Sequence, residues 1–281
     1  EWFRWMSEEL LKSLKGPHLS DRLFRKYRIR LVDGTSVSEP GSTGTDWRIH
    51  YCFQMNKMKC DTFKITTPKI GESLQRYDVN EDDLMMGDRG YCHRKGIIHV
   101  LDSNGQVLIR FHSTNLPLFK RNGKPFDALA HLKSLEASEV GDWDVWFKNP
   151  YNNELVKGRL CSIKKSEEAI EKSVKKLRRI ASKQGRKLKP ETIEYAKFVI
   201  LFTTLTRHIF KGIDLLNLYR GRWQIELVFK RLKGILGLGH LPKKNQESSI
   251  AWLYGKMVVA LLVERLYQEA EFFSPWGYPI E

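Results

Sequence analysis

The sequence is short of the features that mark a secreted, membrane-embedded or disulfide-stapled protein. It holds four cysteines in 281 residues, Cys52, Cys60, Cys92 and Cys161, and no two of them stand as Cys-x-x-Cys. That spacing excludes a zinc ribbon, and so few thiols exclude a disulfide scaffold, so reduced thiols in a cytoplasmic protein are expected. Long apolar runs are lacking too. The longest near the end, Met257 to Val263, lies between Lys256 and Glu264 and is too short to span a bilayer. No secretory signal stands at the start. Acid is scarce: 33 Asp and Glu face 48 Lys and Arg, leaving a net charge of +15. Internal repeats and low-complexity tracts are absent.

What is present supports a folded core. Hydrophobic residues make up 41% and aromatics 11%, which excludes intrinsic disorder and suits one large domain or a core with an inserted subdomain. The positive charge is gathered rather than spread. Residues 164–189 hold eleven basic and three acidic residues, and residues 220–244 hold seven and one. Together these stretches carry fourteen of the fifteen excess charges. Patches of this kind point to a polyanion, which means nucleic acid or, less often, an anionic membrane surface.

Along the chain, residues 2–14 read as a short amphipathic helix. Arg28 to Val32 reads as a strand ending at Asp33-Gly34, and the Gly/Ser/Thr-rich stretch from Thr35 to Asp46 as a loop. Strands are expected at 48–54 and 61–67, a short helix at 71–76, and a brief strand at 84–86 that runs into Gly87-Asp88-Arg89-Gly90. Glu81, Asp82 and Asp83 read as an exposed, solvated cluster. A helix through Ile97, Val100 and Leu101 and a strand at 106–112 follow, a mixed α/β layer pattern. From about 113 to 164 short strands and turns alternate, as in an inserted, mostly β subdomain. A basic helix over 166–188, a buried strand at 197–203, one long helix over 213–236 and a last helix over 248–272 complete the reading. The last helix carries an apolar face at Ile250, Leu253, Met257 and Leu261.

The helix over 213–236 carries the most specific signal. Ile225, Val228, Phe229, Leu232 and Leu236 form its core-facing stripe. Tyr219, Arg222, Glu226 and Lys233, at offsets 0, 3, 7 and 14, are expected along one neighbouring edge. A Glu flanked by cations is commonly a solvated salt-bridge face. Here it is the one acid among seven basic residues, beside a phenol and a guanidinium fork suited to phosphate. That company points to a metal-binding carboxylate next to a phosphodiester.

These residues spell Tyr-x2-Arg-x3-Glu-x6-Lys, and with the surrounding YRGRWQIELVFKRLKGILGL they resemble the YREK signature of bacterial insertion-sequence transposases of the DDE class, of the insertion-sequence-four type. The likeness extends over about Leu31 to Leu266. It implies an RNase H-like mixed-sheet α/β core with an inserted mostly-β subdomain. The expected division is an N-terminal helical stump over 1–23, the first part of the core over 24–113, the insertion with the basic helix over 114–211, and the C-terminal core helices over 212–281.

The resemblance also implies two further carboxylates. Asp33 in VDGT and Asp88 in GDRGY match the family's words. On this reading Asp33, Asp88 and Glu226 are catalytic and hold Mg2+ or Mn2+, two ions, with Asp33 bridging both. Tyr219, Arg222 and Lys233, with Lys230 and Arg89 as weaker candidates, contact DNA phosphates. Trp143 and Trp146 are candidates for holding a flipped base, since some members of the family resolve a DNA hairpin; a place in the core or edge of a small sheet is the plainer account of both. The implied partners are double-stranded DNA, at transposon ends and target, and a second copy of the chain in a synaptic homodimer. The implied location is the bacterial cytoplasm at the nucleoid. The chain begins at Glu1, and the stretch before Leu31 is too small for an end-recognition domain, so recognition of a terminal sequence is expected outside it. Two other readings remain at this point: an RNase H-like nuclease without strand transfer, and an inactive descendant that only binds DNA.

Overall fold

The strand that begins at Arg28 does not stop at Asp33. In a computed structural model of the chain, which describes residues 1–14, 26–42, 46–242 and 245–272, it runs on to Val37. In chain order the elements are α1 (Trp2–Ser13), β1 (Arg28–Val37), β2 (Trp47–Gln54), β3 (Lys59–Thr66), β4 (Asp83–Gly87), α2 (Arg94–Asp102), β5 (Gln106–Arg110), α3 (Ala128–Lys133), β6 (Val140–Lys148) and β7 (Leu155–Lys164). Then come α4 (Glu167–Lys183), α5 (Pro190–Ala196), β8 (Phe198–Thr203), α6 (Gly212–Arg220), α7 (Trp223–Gly234) and α8 (Gln246–Phe272). The mixed α/β class expected from the sequence is the observed one. The chain divides into two compact units, one of residues 1–72, 82–86 and 222–281, the other of 73–81 and 87–221.

In the first unit the strand order is β3-β2-β1-β4. β1, β2 and β3 form an antiparallel meander in which Asp33 lies opposite Tyr51. Burial on both faces explains why these strands read as apolar runs rather than clean alternations: Ile29, Leu31, Val32, Ile49, Cys52 and Leu84 are fully buried. Helices cover the sheet. Phe229 of α7 meets Tyr51 edge-on at 5.9 Å, and Leu253, Met257 and Leu261 of α8 are buried along the face that the periodicity gives.

One acid cluster was misread from sequence. Glu81 and Asp82 are exposed, but Asp83 has no solvent exposure. Arg28 grips it with two bonds, Nε to Oδ1 at 2.5 Å and Nη2 to Oδ2 at 2.9 Å. Arg30, itself buried, adds Nη1 to Oδ2 at 2.8 Å and reaches Asp61 on β3 at 2.6 Å. A run of three acids suggests solvation. The strand period instead turns the third inward, where two arginines of β1 await it.

In the second unit the order is β5-β8-β7-β6, antiparallel throughout. The basic segment forms α4 as expected, capped by Ser166, whose hydroxyl accepts from Ala169 N. Two short helices were not anticipated: α3, and α5, which Pro190 opens at a position where its missing N–H costs nothing. All four cysteines are free and buried. Among the described residues no helix is long and apolar enough to cross a membrane.

α8 is tied to β3 through a largely buried carboxylate. Glu264 Oε1 accepts from Cys60 N at 2.8 Å. Burial pushes its carboxyl up to about 7, against smaller opposing pulls from the Cys60 N–H and the Lys59 ammonium. A folded-state value above the ordinary one means that this group's contribution to stability is full below about pH 4.5 and is lost as pH rises through about 7. Glu264→Gln is therefore expected to stabilise the protein by about 1–3 kcal/mol at pH 8 and to differ little from the parent at pH 5, as read by denaturant unfolding at the two pH values.

Candidate functional site

Asp33 sits within β1 rather than at its end, because the ladder with β2 continues through Thr35–Ile49 to Val37–Trp47. Its side chain is 18% exposed. Oδ1 accepts from Gly34 N at 2.8 Å, and Oδ2 accepts from Arg222 Nη1 at 3.4 Å. A Cβ at Gly34 would come within 2.7 Å of Glu72 Oε1, the tip of a side chain that can yield. Glu72 is thus a further carboxylate against the Asp33–Gly34 step. Sequence reasoning missed it, since it lies in an irregular segment 38 residues downstream of Gly34 with no motif around it.

The expected single helix over 213–236 is two helices. α6 ends at Arg220 and α7 starts at Trp223. At the joint, Gly221 N bonds Leu218 O at 2.9 Å and Ile225 N bonds Arg222 O at 3.2 Å, three-residue bonds that tighten the chain in place of the four-residue ladder. Gly221, a poor helix former, sits at the break. Tyr219 therefore belongs to α6, whereas Glu226 and Lys233 belong to α7, which Arg222 precedes. Tyr219, on α6, is 8% exposed, and its hydroxyl donates to Gly87 O at 3.1 Å. Arg222, Glu226, Lys230 and Lys233 do follow one another at the helical intervals of 4, 4 and 3. Glu226, Lys230 and Lys233 are exposed, while Ile225 and Leu232 are buried beneath.

The first unit thus brings together two of the sequence-derived acids. Arg222 Nη2 binds Glu226 Oε1, and Arg222 Nη1 binds Asp33. One guanidinium joins the carboxylates of a strand and a helix. Sequence alone gave Arg222 a phosphate to bind, and the structure gives it two acids.

Asp88 belongs to the second unit. It caps a single 3-10 turn, Arg89–Tyr91, with Oδ1 accepting from Gly90 N at 2.7 Å. Among the described residues its other oxygen has no hydrogen-bond or ion-pair partner. Gly87 before it is required by packing, since a Cβ there would lie 2.9 Å from Tyr91 Cβ. Tyr91 is fully buried. The word GDRGY therefore describes a turn in which an aromatic is folded under a glycine and an acid is left half-exposed. Arg89 is exposed.

Among the described residues no three acidic, His or Cys side chains are gathered closely enough to hold a metal ion. The donor chemistry nevertheless fits a hard divalent cation. Asp33 and Glu226 offer carboxylate oxygens that already share a positive charge, that of Arg222, and Asp88 has a carboxylate oxygen uncommitted.

Trp143 and Trp146 are half-buried on β6. They line an open pocket of about 450 Å3 with Phe126, His131, Lys120 and Arg207. The Phe126 and His131 rings stack at 4.3 Å, and His131 meets Trp143 edge-on at 5.6 Å. On α4, Ile170, Ser173, Val174, Leu177 and Ala181 turn inward, while Lys172, Lys175, Lys176, Arg178, Arg179 and Lys183 are all exposed.

A family model described as "Transposase DDE domain" matches residues 24–262. The putative transposase InsL of insertion sequence element IS186A, from Escherichia coli K12, is 31% identical over 252 residues, covering 88% of this chain and 68% of the relative. The transposase of insertion sequence element IS421, from Escherichia coli, has the same identity and coverage. That of IS1151, from Clostridium perfringens, is 24% identical over 197 residues, 64% of this chain and 41% of the relative.

The buried hydroxyl of Tyr219 gives a test of its role. Tyr219→Phe leaves the Gly87 carbonyl without this donor and is expected to destabilise the fold by about 1 kcal/mol. A phosphate ligand would behave differently, so DNA affinity and its salt dependence, measured by fluorescence anisotropy, are expected to stay unchanged.

Proposed function

This chain belongs to the transposase DDE-domain family, and from that premise we propose how its residues divide the work. The protein is a DNA transposase with the RNase H-like mixed α/β fold, an enzyme that cuts and joins DNA and depends on a divalent metal. The proposal concerns which residues serve that activity. Asp33, Asp88 and Glu226 hold Mg2+ or Mn2+, two ions. Arg222's hold on both Asp33 and Glu226 is the observation that carries this reading. Two carboxylates kept on one positive charge form a cation site by their chemistry, and they belong to a motif that resembles the family's.

The ions, when bound, would supply activation of the attacking oxygen and stabilisation of the leaving one. The chain's own residues do the rest. With its carboxylates engaged elsewhere, Arg222 is released to offer its planar fork to phosphate oxygens. Lys230 and Lys233 continue the same exposed edge as point charges along a DNA backbone. Arg89 adds a cation beside Asp88. The attack on the phosphodiester is in line, by water at the transposon end and then by the freed 3′-hydroxyl at the target, so no side-chain nucleophile is needed. The aromatic pocket of Trp143 and Trp146 suits a base taken out of the stack, with Lys120 at its rim; Arg207 there is held by Asp142 and Asp144. The outward cations of α4 favour non-specific backbone contact. Double-stranded DNA is the partner, a homodimer the active form, and the bacterial cytoplasm at the nucleoid the place of action.

Two experiments test this assignment. Glu226→Gln is expected to cut divalent-metal-dependent nicking of a transposon-end duplex by more than about 100-fold, since even second-layer partners of metal ligands are worth 10–100-fold. Its DNA affinity is expected to remain near that of the parent, and undiminished nicking would remove Glu226 from the site. Lys233→Ala, an exposed change, is expected to weaken binding to any duplex sequence and to flatten the salt dependence by about one unit of slope.

A further inference from the structure

The last helix, α8, is apolar on two sides. Leu253, Met257, Val258 and Leu261 are buried on its inner side, where Glu264 reaches Cys60 on β3. Val259, Leu262, Val263 and Leu266 stand at helical intervals on the outer side, with Tyr267 beside them. All five are between 41% and 68% exposed. Gly255 and Ala270 extend this outer stripe by about one turn at each end. α1 packs against the same helix. A Cβ at Gly255 would lie 3.9 Å from the Phe3 ring. Phe3 is exposed, and so are Trp2 and Trp5, whose rings stack with centroids 6.4 Å apart.

Single exposed apolar residues need no account, but a contiguous stripe along one helix edge marks an interaction surface. The residues of the stripe show what fits it. When α8 is laid antiparallel on itself, with a two-fold axis between Leu262 and Val263, Leu262 meets Val263, Val259 meets Leu266 and Gly255 meets Ala270. In the same register Lys256 meets Glu269. Among the described residues Lys256 has no carboxylate partner of its own, and its ammonium lies over the Trp252 ring at 5.2 Å. Glu269 is paired with Arg265 at 3.7 Å on an exposed edge, a contact that is weak in water. A parallel pair would set lysine on lysine and glutamate on glutamate, so charge fixes the direction.

We propose that the outer face of α8 binds the same face of a second copy of this chain, antiparallel and two-fold, with Trp2, Phe3 and Trp5 of α1 at the rim. This gives the homodimer of the proposed function a contact surface, and its use on DNA rests on that reading. Apolar meets apolar, small meets small and cation meets anion in a single register. A two-fold contact demands such self-complementarity, and an unrelated partner does not. A pair of helices with an aromatic rim falls near the low end of stable interfaces, about 1,200 Å2 in all, so a Kd of about 1–100 μM is expected.

The test is sedimentation velocity of the full chain without DNA, which is expected to show a dimer at about 200 μM that dissociates on dilution. Val263→Glu, an exposed change beside the axis, brings two glutamates together and is expected to weaken association by at least about 10-fold. Lys256→Glu and Glu269→Lys each set like charges face to face and are expected to weaken it about 3- to 10-fold at low salt. The double variant restores both pairs and is expected to return to the parental constant. Only the antiparallel register gives that rescue. Where Val263→Glu fails to fold by circular dichroism, the charge reversals decide. A parent that is monomeric at this concentration overturns the proposal, as does a dimer that none of these changes weakens, or charge reversals without rescue. So does a monomer that binds phosphatidylcholine vesicles through this face, which would assign it to a lipid surface. Glu226→Gln measured in parallel keeps the two readings apart, because its dimer constant is expected to be parental whether or not it nicks DNA. Undiminished nicking by Glu226→Gln fails the metal assignment, and a parental constant for Val263→Glu fails the interface.

Discussion

The first unit is organised around a carboxylate that water does not reach. Asp83 sits between Arg28 and Arg30, and Arg30 extends the network to Asp61. Through these side chains β4 is bound to β1 and β1 to β3. Removing one partner of such a buried set leaves an uncompensated charge and costs about 3–5 kcal/mol, a large fraction of a domain's total stability. The network also sets the phase of β1. Arg28 and Arg30 point to it from one side of the strand, and with a period of two the odd-numbered Asp33 is turned the other way. The buried arginines and the candidate metal ligand are thus two consequences of one register.

Arg222 plays a comparable part at the site, by a different balance. Asp83 is dry and permanently paired. Asp33 and Glu226 are partly exposed, at 18% and 46%, and share one guanidinium. Exposure keeps that pairing weak in water, which is what an exchangeable partner requires. The same unit thus holds one ion network that is dry and another that meets water.

Much of the fold was legible because hydrophobic period is a direct trace of burial. The apolar faces of α7 and α8 and the meander of β1, β2 and β3 follow from it. What escaped was decided by tertiary structure. β1 continues past Asp33 because β2 offers it a ladder, although Gly34 and the polar run after it suggest a turn. The break at Gly221 is invisible to a period that continues on both sides of it. Asp83 looked solvated beside two acids that are. At the site, the motif words led to Asp33, Asp88, Glu226 and Arg222, but neither the grip of Arg222 on two acids nor the place of Glu72 over Gly34 has a sequence signature. Tyr219 shows the limit of spacing arguments: three residues from Arg222, it is folded inward on another helix.

The joint at Gly221 and Arg222 gives the motif's spacing a mechanical meaning. Tyr219 is anchored by its hydroxyl on α6, and Glu226 is carried by α7 beyond the joint. Adding or deleting one residue of α7 between Arg222 and Ile225 would rotate the rest of the helix by about 100° about its own axis. An added residue would bring Ile225 to the position that Glu226 now faces, and a deleted one would carry Glu226 into the space that Ile225 fills. The interval between arginine and glutamate is then a gauge of rotation. It keeps a carboxylate and an apolar side chain, neighbours in sequence, out of each other's places.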